Sequence, residues 1–185
     1  MSAAGQTATV SNCDECQYRY DSEDEESVPA RLRVLGGRFT APLSRFLPGE
    51  DGPSILRAHP LADAWSALEY ACHVRDVLEV NNGRVQQSLV EDVPVYEPMG
   101  RDERVTDLAY NEQHPSSVAA AIATNADALA ATFEGLDPAQ WERTGIYGYP
   151  EPEERTMLWI GQHTIHEVHH HLLDVGRTLR AARGR

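Results

Sequence analysis

The chain has 185 residues, with 29 acidic against 16 basic side chains, a formal charge of −13 and 41% apolar residues. That length predicts one domain with enough buried surface to fold without disulfides or metal. The charge argues against a general nucleic-acid or anionic-membrane binder, because phosphate contacts need clustered Lys and Arg.

No apolar run reaches the ~20 residues of a membrane span, and Met1 to Val10 lack the basic and apolar regions of a secretory signal. A cytoplasmic location is expected. Three cysteines, Cys13, Cys16 and Cys72, do not make a disulfide framework.

In chain order, residues 1–27 read as a partly disordered lead carrying Cys13-x-x-Cys16 and an acidic run, Asp21 to Glu26. Residues 28–185 read as the folded domain. Pro29 suits a first helical turn, and Leu32, Leu35, Phe39, Leu43 and Phe46 recur at helical spacing, predicting one helix over 30–46. Ser66 and Glu69 form a capping box that starts a second helix, running to about Glu91. Residues 92–115 read as a long polar loop, a length usually tied to function. Ser116-Ser117 opens an Ala-rich third helix to Gly135, Asp137–Trp141 reads as a short capped turn, and Thr156 starts a fourth long helix to about Ala182. No segment reads as an alternating strand. The predicted fold class is all-α: a four-helix bundle with long connecting loops and a short flexible N-terminal lead.

Five of the eight histidines fall between positions 163 and 171 of the fourth helix. With about 100° per residue, Leu158, Ile165, Val168, Leu172 and Val175 mark the core stripe. His163, His166 and His170 form a strip beside it, His169 falls near the core, and His171 is expected to point to solvent. His166-x-x-x-His170 can present two imidazoles to one metal ion, and His73 in the second helix is the natural third ligand. Each such histidine, taken alone, has a plain structural role as its alternative.

The segment His166-Glu-Val-His-His170-His-Leu-Leu-Asp174, with Glu69-Tyr-Ala-Cys-His73-Val-Arg-Asp76, resembles the DinB-like superfamily of metal-binding four-helix bundles, which includes YfiT-type and mycothiol-dependent proteins. The resemblance covers roughly residues 30–182. It implies a divalent metal, zinc or nickel, held by His73, His166 and His170 with coordination positions left open. It also implies a metal-dependent transferase that passes a low-molecular-weight thiol of the mycothiol type to an electrophilic small molecule. A thiol-dependent isomerase of the maleylpyruvate type, a metal-dependent hydrolase and a non-enzymatic metal- or ligand-binding stress protein are the alternatives.

Trp159 and Arg177 project with the histidine strip and are expected to wall the thiol pocket. Arg101 and Arg104, in the middle loop, are candidates to receive an acidic substrate, since Arg pairs with carboxylates. Glu69, Asp76 and Glu167 are candidate carboxylates for orienting the imidazoles, with Glu69 also read as the helix-capping acid. Asp174 either orients His170 or pairs with Arg177. Cys72 reads as a buried small apolar residue, and His59 and His114 as exposed. The Cys13/Cys16 pair is open between half a zinc site, a redox pair and two unrelated thiols. Expected partners are a small electrophile and a thiol, with no nucleic acid and no membrane; a homodimer is possible through exposed helix faces.

Overall fold

The computed structural model describes residues 12–148 and 151–184. Of the partly disordered lead expected over residues 1–27, residues 1–11 lie outside them. Four long helices build the core: α1 (Ser27–Gly37), α4 (Ala67–Val90), α6 (Pro115–Glu134) and α8 (Met157–Ala182). Shorter helices fill the connections: α2 (Thr40–Ser44), α3 (Gly52–Arg57), α5 (Arg101–Asp107) and α7 (Pro138–Trp141). Among the described residues no helix is long and apolar enough to cross a membrane.

The helix starts follow from capping chemistry. Ser66 Oγ accepts from the Glu69 N–H at 3.1 Å while the Glu69 carboxylate accepts from the Ser66 N–H at 2.7 Å, so the capping box holds α4 from both sides. Thr156 accepts from the Trp159 N–H and opens α8 at the predicted place. The helix predicted over 30–46 is instead two. The Gly36-Gly37 pair lowers helix propensity, and the Arg38 N–H turns back onto the carbonyls of Leu35 and Gly36, ending α1. Phe39 and Leu43 remain buried beyond the break, so the apolar spacing survives the change of direction.

Two further corrections concern the loops. The segment 144–156, read as free of strands, holds an antiparallel hairpin of β1 (Thr144–Tyr147) and β2 (Glu153–Thr156), paired from Thr144↔Thr156 to Tyr147↔Glu153. Each strand has four residues and neither shows apolar alternation, so no periodic signal could reveal it. The loop predicted over 92–115 contains α5 and a single 3-10 turn, Tyr110–Glu112.

Around the bundle, α1 packs on α6, α6 on α4, α4 on α8, and α8 back on α1. Helices consecutive in the chain are therefore diagonal in two of three cases, α1 to α4 and α6 to α8. Both diagonals need long connections, which residues 38–66 and 135–156 supply. The approach of α1 to α6 is set at Gly36, where an added Cβ would lie 2.5 Å from that of Ala126, whereas Gly37 faces open space. Gly36→Ala is expected to destabilise by about 1–3 kcal/mol through overpacking, and Gly37→Ala to stabilise by up to about 1 kcal/mol through lost unfolded-state freedom. Urea unfolding of both variants checks the opposite signs.

The middle segment is pinned to α4 by a buried carboxylate. Asp76, with its side chain only 3% exposed, accepts from Arg75 Nε at 2.6 Å, Tyr110 Oη at 2.6 Å and Arg104 Nη1 at 3.1 Å. Burial alone would raise its pKa, but these donors outweigh it and hold the carboxyl below its ordinary value. Asp76 and Arg104 thus serve the fold of this segment. Glu69 is likewise taken up by the cap and by His59, 2.7 Å away; the His59 ring is exposed, as expected.

Candidate metal centre

The diagonal layout leaves a cavity of about 620 Å³ between α4, α8, the middle segment and the hairpin. Its histidine face comes from both long helices: His73 from α4, and His163, His166, Glu167, His170 and His171 from α8.

His73 is buried, and the ligand-bearing groups within its reach are Glu167 and His171. One Glu167 carboxylate oxygen lies 3.8 Å from His73 Nε2 and 3.5 Å from His171 Nε2. The rings of His73 and His171 meet edge to face with centroids 4.9 Å apart. His171, expected in solvent, is 13% exposed at its side chain because α4 and Tyr70 cover it, the latter stacked at 5.4 Å. A helical wheel locates a residue on its own helix but not the neighbour that will roof it.

The electrostatics fit a cation. Burial would depress the His171 pKa, but Asp174 and Glu167 raise it to about 9, and the surrounding imidazoles hold Glu167 well below its ordinary value despite burial. Positive charge is therefore favoured at this point of the protein. Asp174 Oδ2 sits 3.0 Å from His171 Nδ1, so with the Nδ1 proton held there a cation that replaced the Nε2 proton would find that nitrogen facing Glu167. Two imidazoles and one carboxylate converge from two helices, a donor set that suits zinc and other divalent transition metals and leaves coordination positions open.

The trio His73, His166 and His170 is not brought together as one ligand group. His166 and His170 do face one another, with ring centroids 5.5 Å apart, but their common neighbours are Cys13 and Cys16 of the N-terminal segment. The strip 167/171 has the same four-residue spacing as 166/170, one residue along. Sequence spacing alone does not choose between them. The acid at 167, with an acid three residues after His171, was the available signal.

The remaining predicted residues separate clearly. Arg101 lines the cavity and lies over the Trp65 ring at 5.8 Å. Trp159 stands behind the wall, stacked on His163 at 4.6 Å, with the Arg155 guanidinium over its ring at 4.6 Å. Arg177 pairs with Glu15 and Asp174 at the surface. Sequence reading missed Arg84 and Tyr147, which line the cavity together and form a cation–π contact at 4.7 Å. Cys72 is fully buried, as expected.

Among known families, the model described as the DinB superfamily matches residues 49–175. No curated protein matches the chain. A solved structure, YfiT from Bacillus subtilis, is similar with a TM-score of 0.71 at 18% identity, covering 84% of this chain and 87% of that one. It is described as a probable metal-dependent hydrolase with an unusual four-helix bundle topology.

Proposed function

Because this chain belongs to the DinB superfamily, we propose that it is a metal-dependent enzyme that transfers a low-molecular-weight thiol, of the mycothiol type, to an electrophilic small molecule. The observation that carries the metal-dependent part is the convergence of His73, Glu167 and His171 on one face of the cavity. The resemblance supplies the thiol. A divalent cation held there supplies Lewis acidity and favours the thiolate over the thiol.

The protein's own groups do the rest. Glu167 and the two imidazoles present three donors from one side, so a ligand approaches from the cavity. Arg84 and Arg101, the cationic side chains of the cavity lining, stand ready to orient a carboxylate of either reactant. Val77, Tyr96, Pro98, Met99 and Tyr147 give the cavity apolar surface, which holds an uncharged carbon skeleton and limits water. Its volume lies in the range that takes drug-sized ligands.

The test is a thiol-by-electrophile screen with a metal-stripped control. Conjugate formed only by the metal-loaded protein is expected. Equal conjugation without metal overturns the transferase reading. A second reading, hydrolysis, is favoured by the fold shared with YfiT; it predicts that an ester or amide substrate is consumed in the absence of any thiol.

A further inference from the structure

A second cluster of metal-binding side chains adjoins the proposed catalytic trio, with His166 Nδ1 3.5 Å from Glu167 Oε1. Cys13, Cys16, His166 and His170 each offer a ligand atom, and these four atoms all lie within 4.8 Å of one another. Cys13 Sγ is 3.6 Å from His170 Nδ1. The chain builds the sulfur pair with a tight turn. The Gln17 N–H donates to the Cys13 carbonyl at 2.8 Å, and the Cys13 N–H donates to the Tyr18 carbonyl at 2.9 Å. Gln17 sits in the left-handed region at φ 59°, a conformation that costs a side-chain-bearing residue energy unless the turn requires it. The Tyr18 N–H is directed at the Cys16 sulfur.

The two imidazoles are oriented by groups outside the cluster. His170 turns Nε2 toward Asp174, 3.6 Å away, and Glu15, 3.9 Å away, which leaves Nδ1 facing the Cys13 sulfur. His166 Nδ1 is 3.2 Å from the Tyr20 hydroxyl, which is also 2.8 Å from His163 Nδ1. The Tyr20 hydroxyl thus engages the Nδ1 side of both rings, and His166 Nε2 is left buried with no hydrogen-bond partner. An unsatisfied buried nitrogen beside two cysteines calls for a ligand.

We propose that Cys13, Cys16, His166 and His170 bind a structural zinc ion that fastens the N-terminal segment to α8. The spacings, Cys-x2-Cys and His-x3-His, are those of a closed Cys2His2 site. Tetrahedral zinc, with Zn–S of about 2.3 Å and Zn–N of about 2.0–2.1 Å, places its donors roughly 3.3–3.8 Å apart, so the cluster need close by little. Two thiolates neutralise the dication, which suits a place where Cys16 is buried. Two sulfurs and two imidazoles fill the coordination shell and leave no reactive position, unlike the His73, Glu167 and His171 trio. The ion would hold Tyr18 and Tyr20 against α8, and through the Tyr20 hydroxyl it would fix His163 and His166 in the cavity wall.

The test uses the full-length protein without a histidine tag. Elemental analysis is expected to show that the Cys13→Ser, Cys16→Ser double variant loses one equivalent of zinc relative to the wild type. Cobalt exchange is expected to give a thiolate-to-cobalt charge-transfer band that is absent from the double variant and retained in Cys72→Ser and in His171→Ala. His170→Ala, whose helix content is checked by circular dichroism, is expected to weaken or remove the band. Unchanged zinc content in the double variant overturns the proposal, as does a cobalt spectrum without thiolate character in the wild type. Recovery of Cys13 and Cys16 as a metal-free disulfide from freshly purified protein overturns it too. Because the readouts follow sulfur ligation, they are independent of whether the cavity transfers thiols.

Discussion

His171→Ala or Glu167→Ala is expected to lower metal-dependent turnover by at least about 100-fold, because even an outer carboxylate that only orients a ligand is worth roughly 10–100-fold. The reasoning is geometric. Glu167 lies between His73 Nε2 and His171 Nε2 at 3.8 and 3.5 Å, so removal of either α8 residue leaves two donors where three converged. Asp174→Ala should give a smaller loss, within that 10–100-fold range, since it removes only the partner of His171 Nδ1. The informative comparison is with His166→Ala. If the trio expected from the sequence, His73, His166 and His170, holds the catalytic ion, His166→Ala abolishes turnover and His171→Ala spares it. The structure leads to the reverse ranking, and steady-state rates of the metal-loaded variants decide between them.

Asp76→Ala is expected to cost about 3 kcal/mol of stability, the lower end for breaking a buried ion pair. The low end is chosen because Arg104 is 35% exposed and can turn to water, whereas Arg75 and the Tyr110 hydroxyl lose their shared acceptor. For a chain of this size that corresponds to a midpoint lowered by about 6–12 °C. The pH dependence has a definite sign. The folded-state pKa of Asp76 lies below its ordinary value of 3.8, so its stabilisation is complete above that value and is lost as pH falls through the folded-state pKa. Asp76→Asn should therefore be less stable than wild type at neutral pH, with the difference shrinking in acid. Thermal unfolding at several pH values measures both. An equal deficit at every pH would place the effect in packing rather than charge.

Much of the fold was legible because local chemistry and tertiary need agreed. The capping box at Ser66 and Glu69, the Thr156 cap and the apolar spacing of α4, α6 and α8 each pointed to the helix that forms. Disagreement arose where the decisive partner lay elsewhere in the chain. Arg38 ends α1 by a turn that two glycines permit, though the apolar spacing carries on through Phe39. The hairpin of β1 and β2 owes its pairing to register, not to a pattern in either strand.

The site was half legible for the same reason. A run of histidines on one helix pointed toward metal binding, and His73 of α4 lies within reach of Glu167 and His171 of that helix. Two adjacent strips of α8 carry ligand spacing, however, and only the packing of α4 on one and of the N-terminal segment on the other assigns them. His166 and His170 thus face cysteines that stand 157 positions away in the case of Cys13 and His170.

Every group of metal-capable side chains among the described residues draws on α8, the fourth of the long helices in chain order. The diagonal order of the bundle has the same effect, since α4 meets α8 only after the hairpin has been made. A nascent polypeptide halted before Met157 would carry His73, Cys13 and Cys16 without any of their counterparts. A metal ion bound by any of these groups would in this way wait for α8, and chains halted short of that helix would be left without it.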